Sequence, residues 1–133
     1  MRLNKLYLNN FKNYHTIELD LSHRVNVFVG LNGVGKTNIL DAIYYLSFCK
    51  SYFNSIDSQN IRHGEEFLMI QGNYTHNNDS LDKVSCSFKR NEGKHFSVNK
   101  KTYSRLADHI GKIPLVIITP SDSILIHDGS DER

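Results

Sequence analysis

A chain of 133 residues that is 39% hydrophobic and 23% charged has the composition of about one globular domain, which excludes the disordered class. No apolar run approaches the roughly 18 residues of a membrane helix, and the alternating start Met1-Arg2-Leu3-Asn4-Lys5 lacks the apolar centre of a signal peptide, so a cytoplasmic protein with no membrane partner is expected. The net charge of +2 is unevenly spread: between residues 83 and 105 seven basic side chains stand against Glu92 alone, a local +6 that leaves −4 for the rest and marks a candidate polyanion contact.

In chain order, residues 2–8 alternate apolar and polar side chains around Leu3, Leu6 and Leu8, and residues 14–21 alternate again around Ile17, Leu19 and Leu21. Period-two alternation predicts two half-buried strands, joined through the turn-rich residues 9–13 as an antiparallel hairpin. Residues 25–29, Val-Asn-Val-Phe-Val, then predict a strand that leads into Gly30-Leu31-Asn32-Gly33-Val34-Gly35-Lys36-Thr37-Asn38. Residues 30–37 fit G-x-x-x-x-G-K-[ST], and this stretch carries the chemistry of the chain. Glycines at 30, 33 and 35 leave no side chain in the way of phosphate oxygens and can adopt the positive φ that turns successive N–H groups inward. The loop opens into a helix whose first amides lack partners and whose dipole is positive at that end. Lys36 adds a full charge for the β- and γ-phosphates, and the Thr37 hydroxyl is placed to hold Mg²⁺, so ATP with Mg²⁺ is the expected cofactor.

Ile39, Leu40, Ala42, Ile43 and Leu46 recur at helical spacing and predict a helix with one broad buried face to about Phe48. Residues 50–66 are polar and aperiodic, with one short helical turn expected at residues 57–62. Residues 67–75, 83–89 and 95–98 read as three strands of an antiparallel meander, separated by polar turns. In the second of them Lys83 and Lys89 share a face opposite Val84 and Cys86, and Lys100, Lys101 and Arg105 follow. These five are the candidate contacts for duplex DNA backbone, although a solvated strand face explains the same lysines. Residues 102–110 predict a short helix with Tyr103, Leu106 and Ile110 on one face and Gly111 as its stop. The apolar run 113–118 predicts a strand covered on both faces, lying beside the loop-bearing strand in a central sheet. Cys49 and Cys86 have no C-x-x-C spacing and seven histidines never fall at i, i+4, so reduced thiols and no metal cluster are expected. The chain closes on polar residues just after Ile124-Leu125-Ile126 begin another element, and it reads as a severed domain.

A phosphate loop binds; hydrolysis needs an Asp after an apolar strand for Mg²⁺ and a group that orients water. Residues 67–70 are followed by Gln71, residues 115–118 by Thr119, and residues 124–126 by His127, so the chain alone is expected not to turn over ATP and has no candidate catalytic residue. A GTPase is excluded because Asp108-His109-Ile110-Gly111 lies within a predicted helix and no N-K-x-D follows. A small P-loop nucleoside or metabolite kinase is the alternative, and it lacks support because the basic cluster lies on predicted strands rather than in a lid.

Asn10-Phe11-Lys12-Asn13-Tyr14 after a first strand, followed by the run from Gly30 to Ile43, resembles the N-terminus of the RecF family. The likeness continues through Ile61-Arg62-His63-Gly64-Glu65 and Thr119-Pro120-Ser121-Asp122 to Gly129 and Arg133. The resemblance implies an α/β fold: the N-terminal part of a P-loop NTPase head of the ABC/SMC kind with an antiparallel β meander lobe. It divides the chain into residues 1–50 (hairpin, loop strand and helix), 67–98 (β lobe) and 102–133 (return helix, core strand and interrupted end). It implies an ATP-binding, DNA-binding ATPase of replication and recombinational gap repair, active in the response to DNA damage (the SOS response). Expected partners are duplex DNA at gaps or junctions, a second copy across an ATP-dependent head dimer, and other recombination proteins. The family pattern further implies a longer protein in which a helical arm, a signature motif, the Mg²⁺-binding Asp and a catalytic Glu follow Arg133. By the same likeness Lys12, Asn13 and Tyr14 flank the adenine or ribose, and Asp122 stands where a γ-phosphate sensor belongs.

Overall fold

The computed structural model describes residues 1–30 and 35–119. Six strands, β1 (Arg2–Phe11), β2 (Tyr14–Asp20), β3 (Phe67–Thr75), β4 (Leu81–Lys89), β5 (Gly93–Val98) and β6 (Lys101–Thr102), make one antiparallel sheet in the order β2-β1-β3-β4-β5-β6. Among the described residues one α-helix, α1 (Lys36–Phe48), covers one face of it. The hairpin and the meander expected from the sequence are therefore continuous, since β1 pairs with β3 from Arg2↔Thr75 to Asn9↔Met69.

Register explains where the core lies. Leu8, Ile70, Cys86 and Phe96 stand side by side across four strands, and all four are fully buried. Residues paired directly across a ladder point to the same face, so this row becomes the floor on which α1 rests through Ile39, Ala42, Tyr45 and Leu46. The Tyr45 ring lies parallel to Phe96 at 6.4 Å and takes Phe11 edge-on at 6.1 Å. Gly72 of β3 lies under α1: a Cβ there would be 2.8 Å from the Leu46 Cδ1, so a larger residue would have to push that side chain aside. Cys49 ends α1 in the left-handed conformation and Cys86 sits in β4; both are free, and burial pushes the Cys49 thiol up to about 11 and raises Cys86 as well.

Three sequence expectations are corrected. Residues 25–29 form no strand, and Val25, Val27 and Val29 are at least 75% exposed. Residues 113–118 form none either: Ile113 is buried, but Val116 and Ile118 face solvent. Apolar composition makes a segment able to pair, and pairing needs an open edge beside it. The sheet ends at β2 and β6, and among the described residues neither run joins it. The helix expected over residues 102–110 is instead β6 and a 3-10 turn, Leu106–Asp108. The Tyr103 amide donates to the Phe96 carbonyl at 2.8 Å, which holds this residue to the sheet and prevents a helix from starting there. The turn then buries His109 rather than Ile110.

Candidate functional site

α1 begins at the glycine the motif demands. Gly35 is its N-cap at φ 89, in the region that favours glycine, and an added Cβ would meet the Asn13 amide at 2.5–2.9 Å. Among the described residues no side-chain hydrogen bond caps this terminus and no acidic residue lies in the first turn, so the positive end of the helix suits an external anion. Lys36 extends across the loop mouth and donates to the Gly30 carbonyl at 2.6 Å. That bond joins the two ends of the loop, and a phosphate oxygen offers the same ammonium a charged acceptor. Leu31, Asn32, Gly33 and Val34 lie outside the described residues, as does Asp122. The exposed Thr37 lines a cleft of about 450 Å³ with Leu40, Tyr52, Phe53, Ile117, Ile118 and Thr119. The donor set fits a nucleotide polyphosphate: glycine backbone, a helix N-terminus, one flexible ammonium, and a hydroxyl that could hold Mg²⁺.

The structure brings Lys12, Asn13 and Tyr14 to the same place. The Tyr14 hydroxyl donates to the Gly35 carbonyl at 2.9 Å, and burial raises its pKa. Asn38 of α1 donates through Nδ2 to the Asn13 Oδ1 at 2.8 Å. The tip of the β1–β2 hairpin is thus seated directly on the start of α1. Lys12 reaches further along the helix: its ammonium bonds Asp41, 5.5 and 5.6 Å from the centres of the Phe11 and Phe53 rings.

Sequence reasoning missed Asp41. It is fully buried, and its carboxylate takes Lys12, the Ser51 hydroxyl at 2.5 Å and the Tyr52 amide at 2.7 Å. A signal was available, since an acid between Ile39 and Ala42 on the apolar face of a helix must find partners or change its protonation. The partners come from residues distant in sequence, which periodicity does not reveal.

The basic stretch is divided by the sheet. Lys83 and Lys89 lie on the outer face, with Lys89 3.4 Å from Glu92. Lys94 turns inward to Asp57 at 2.9 Å, the Cys49 carbonyl and the Tyr45 ring, and Arg90 donates to the carbonyls of Glu65 and Ser58. Lys101 pairs with Val98, in register with the inner face, while Lys100 and Arg105 are exposed beside β6. The five candidates therefore occupy an edge and one face rather than a single patch.

Residues 1–115 match the family of AAA ATPase domains. The chain is 53% identical over its whole length to a protein of Bacteroides fragilis named DNA replication and repair protein RecF, of which it covers 36%. Among solved structures it resembles the recombination mediator RecF with ATP, from the RecFOR pathway: TM-score 0.88, 29% identity, over 94% of this chain and 34% of that one. A structure from work on ATP-driven dimerisation and DNA-stimulated activation of SMC ATPases shares the fold, at TM-score 0.73 and 20% identity over 96% of this chain and 98% of that one. The chain thus spans about a third of the RecF proteins it matches.

Proposed function

This chain belongs to the AAA ATPase domain family, and on that premise we propose that it is the nucleotide-binding N-terminal part of a RecF-like DNA replication and repair ATPase. The observation that supports the proposal is the start of α1, where left-handed Gly35, an N-terminus with no side-chain cap among the described residues, and Lys36 at the loop mouth offer donors suited to a polyphosphate. Within this reading Gly30 to Asn38 bind ATP, Thr37 holds Mg²⁺, and Asp122 senses the γ-phosphate. Binding of ATP would gate association of two heads, as ATP-driven dimerisation is named for the SMC relative in fold, and the protein would act in the cytoplasm with other recombination proteins. Calorimetric titration with ATP–Mg²⁺ should give saturable one-to-one binding; heats no larger than those of buffer would sink the proposal.

The DNA contact belongs to the same proposal. Lys83 and Lys89 on the outer face, with Lys100, Lys101 and Arg105 at the adjoining edge, would meet phosphates of duplex DNA at gaps or junctions without reading sequence. A few such contacts make binding weak, with log affinity falling by about 0.9 per neutralised charge per unit of log salt. A variant with Lys83, Lys89, Lys100 and Lys101 all changed to Ala should bind duplex DNA more weakly and with a shallower salt slope. Identical affinities and slopes would leave these lysines as a solvated surface.

A further inference from the structure

The buried carboxylate of Asp41 is part of a closed ring of hydrogen bonds. From Asp41 the ring passes to the Ser51 hydroxyl, which accepts the Asn54 amide at 3.1 Å; the Asn54 carbonyl accepts from the Asn60 Nδ2 at 3.0 Å. The Asn60 carbonyl in turn accepts the Lys12 amide at 2.8 Å, and the Lys12 ammonium returns to Asp41. Lys12 is thus held by both its backbone and its side chain, in a left-handed conformation (φ 52) at the turn of the hairpin. The next two residues in the chain, Asn13 and Tyr14, are those that touch Asn38 and Gly35 at the start of α1.

We infer that Asp41 is a positioning residue for nucleotide binding: by holding Lys12 it seats the hairpin tip against the phosphate-binding end of α1, where that tip walls the path of the nucleoside. The inference rests on the ATP-binding reading above. Asp41 itself touches no phosphate, because it lies inside the protein beneath the second turn of α1. Its charge makes the seating specific. An ionised carboxylate out of water is tolerable only with donors such as the three it has, so the hairpin tip, the 51–54 segment and α1 are required to meet at one point.

Titration of the parent, Asp41→Asn and Lys12→Met with ATP–Mg²⁺ and with inorganic tripolyphosphate–Mg²⁺ tests this. Asp41→Asn leaves Lys12 charged and present, so its effect reports positioning rather than loss of a direct contact. ATP affinity is expected to fall about tenfold, while tripolyphosphate, which meets only the loop and the helix start, keeps the parent's affinity. Lys12→Met retains the stem between the Phe11 and Phe53 rings and removes only the ammonium; it reports on the pair if Asp41→Asn fails to fold. Equal ATP affinity in parent and variants, or parallel losses for ATP and tripolyphosphate, overturns the inference. A parent that binds neither ligand overturns the nucleotide-binding reading itself.

Discussion

Lys36→Ala is expected to weaken ATP–Mg²⁺ binding by about 1.5–3 kcal/mol, roughly ten- to a hundredfold, with little change in folding stability. The affinity term comes from one charge-assisted contact. Among the described residues the ammonium donates to a neutral carbonyl, that of Gly30 at 2.6 Å, so exchanging this bond for a phosphate oxygen gains a full opposite charge. The stability term is small because the contact is exposed and joins two ends of one loop rather than two packed elements. Titration and thermal unfolding of the same pair of proteins separate the two quantities. Equal ATP affinities would remove Lys36 from the site, whereas lost affinity with a matching loss of unfolding temperature would make it a structural residue.

His109→Ala is expected to destabilise the chain by about 2–4 kcal/mol, through the cavity it leaves and the backbone carbonyl it strands. The imidazole is fully buried, with Nε2 2.6 Å from the Leu46 carbonyl near the end of α1 and the Phe96 and Tyr103 rings about it at 5.0 and 5.2 Å. It joins α1 to the last described segment. Burial lowers its pKa and the Lys112 charge lowers it further, with the Leu46 carbonyl opposing both, so the net shift is below the usual 6.5. Because the folded state resists the proton that the unfolded chain accepts, this contribution is present above about pH 6.5 and lost as pH falls through the lower folded value. Urea unfolding at a series of pH values should show the parent losing stability below pH 6.5 more steeply than His109→Gln, which keeps a donor but cannot be charged. Parallel curves for the two would refute the linkage.

The outer charges illustrate how far a pattern can be read without coordinates. Period-two alternation placed Val84 and Cys86 inside and Lys83 and Lys89 outside, and the ladder agrees. Alternation along one strand is silent about the next one. Lys94 therefore counted toward a basic surface until register with Phe88 turned it inward to Asp57, and Lys101 fell on the opposite face from Lys83.

Local chemistry determined what the sequence alone could decide: the glycines and Lys36 of the loop, the helix from Lys36 to Phe48, and the antiparallel pairing of neighbouring strands. Each depends on residues close together in the chain, where backbone sterics and spacing act directly. Only the tertiary structure decided that the hairpin and meander share one sheet, that residues 25–29 and 113–118 are not strands in it, and that Asp41 holds Lys12. These depend on which edge is open and which charge lies within reach of another. Both are properties of segments far apart in sequence, fixed by burial and by the pairing of a desolvated charge rather than by any local preference.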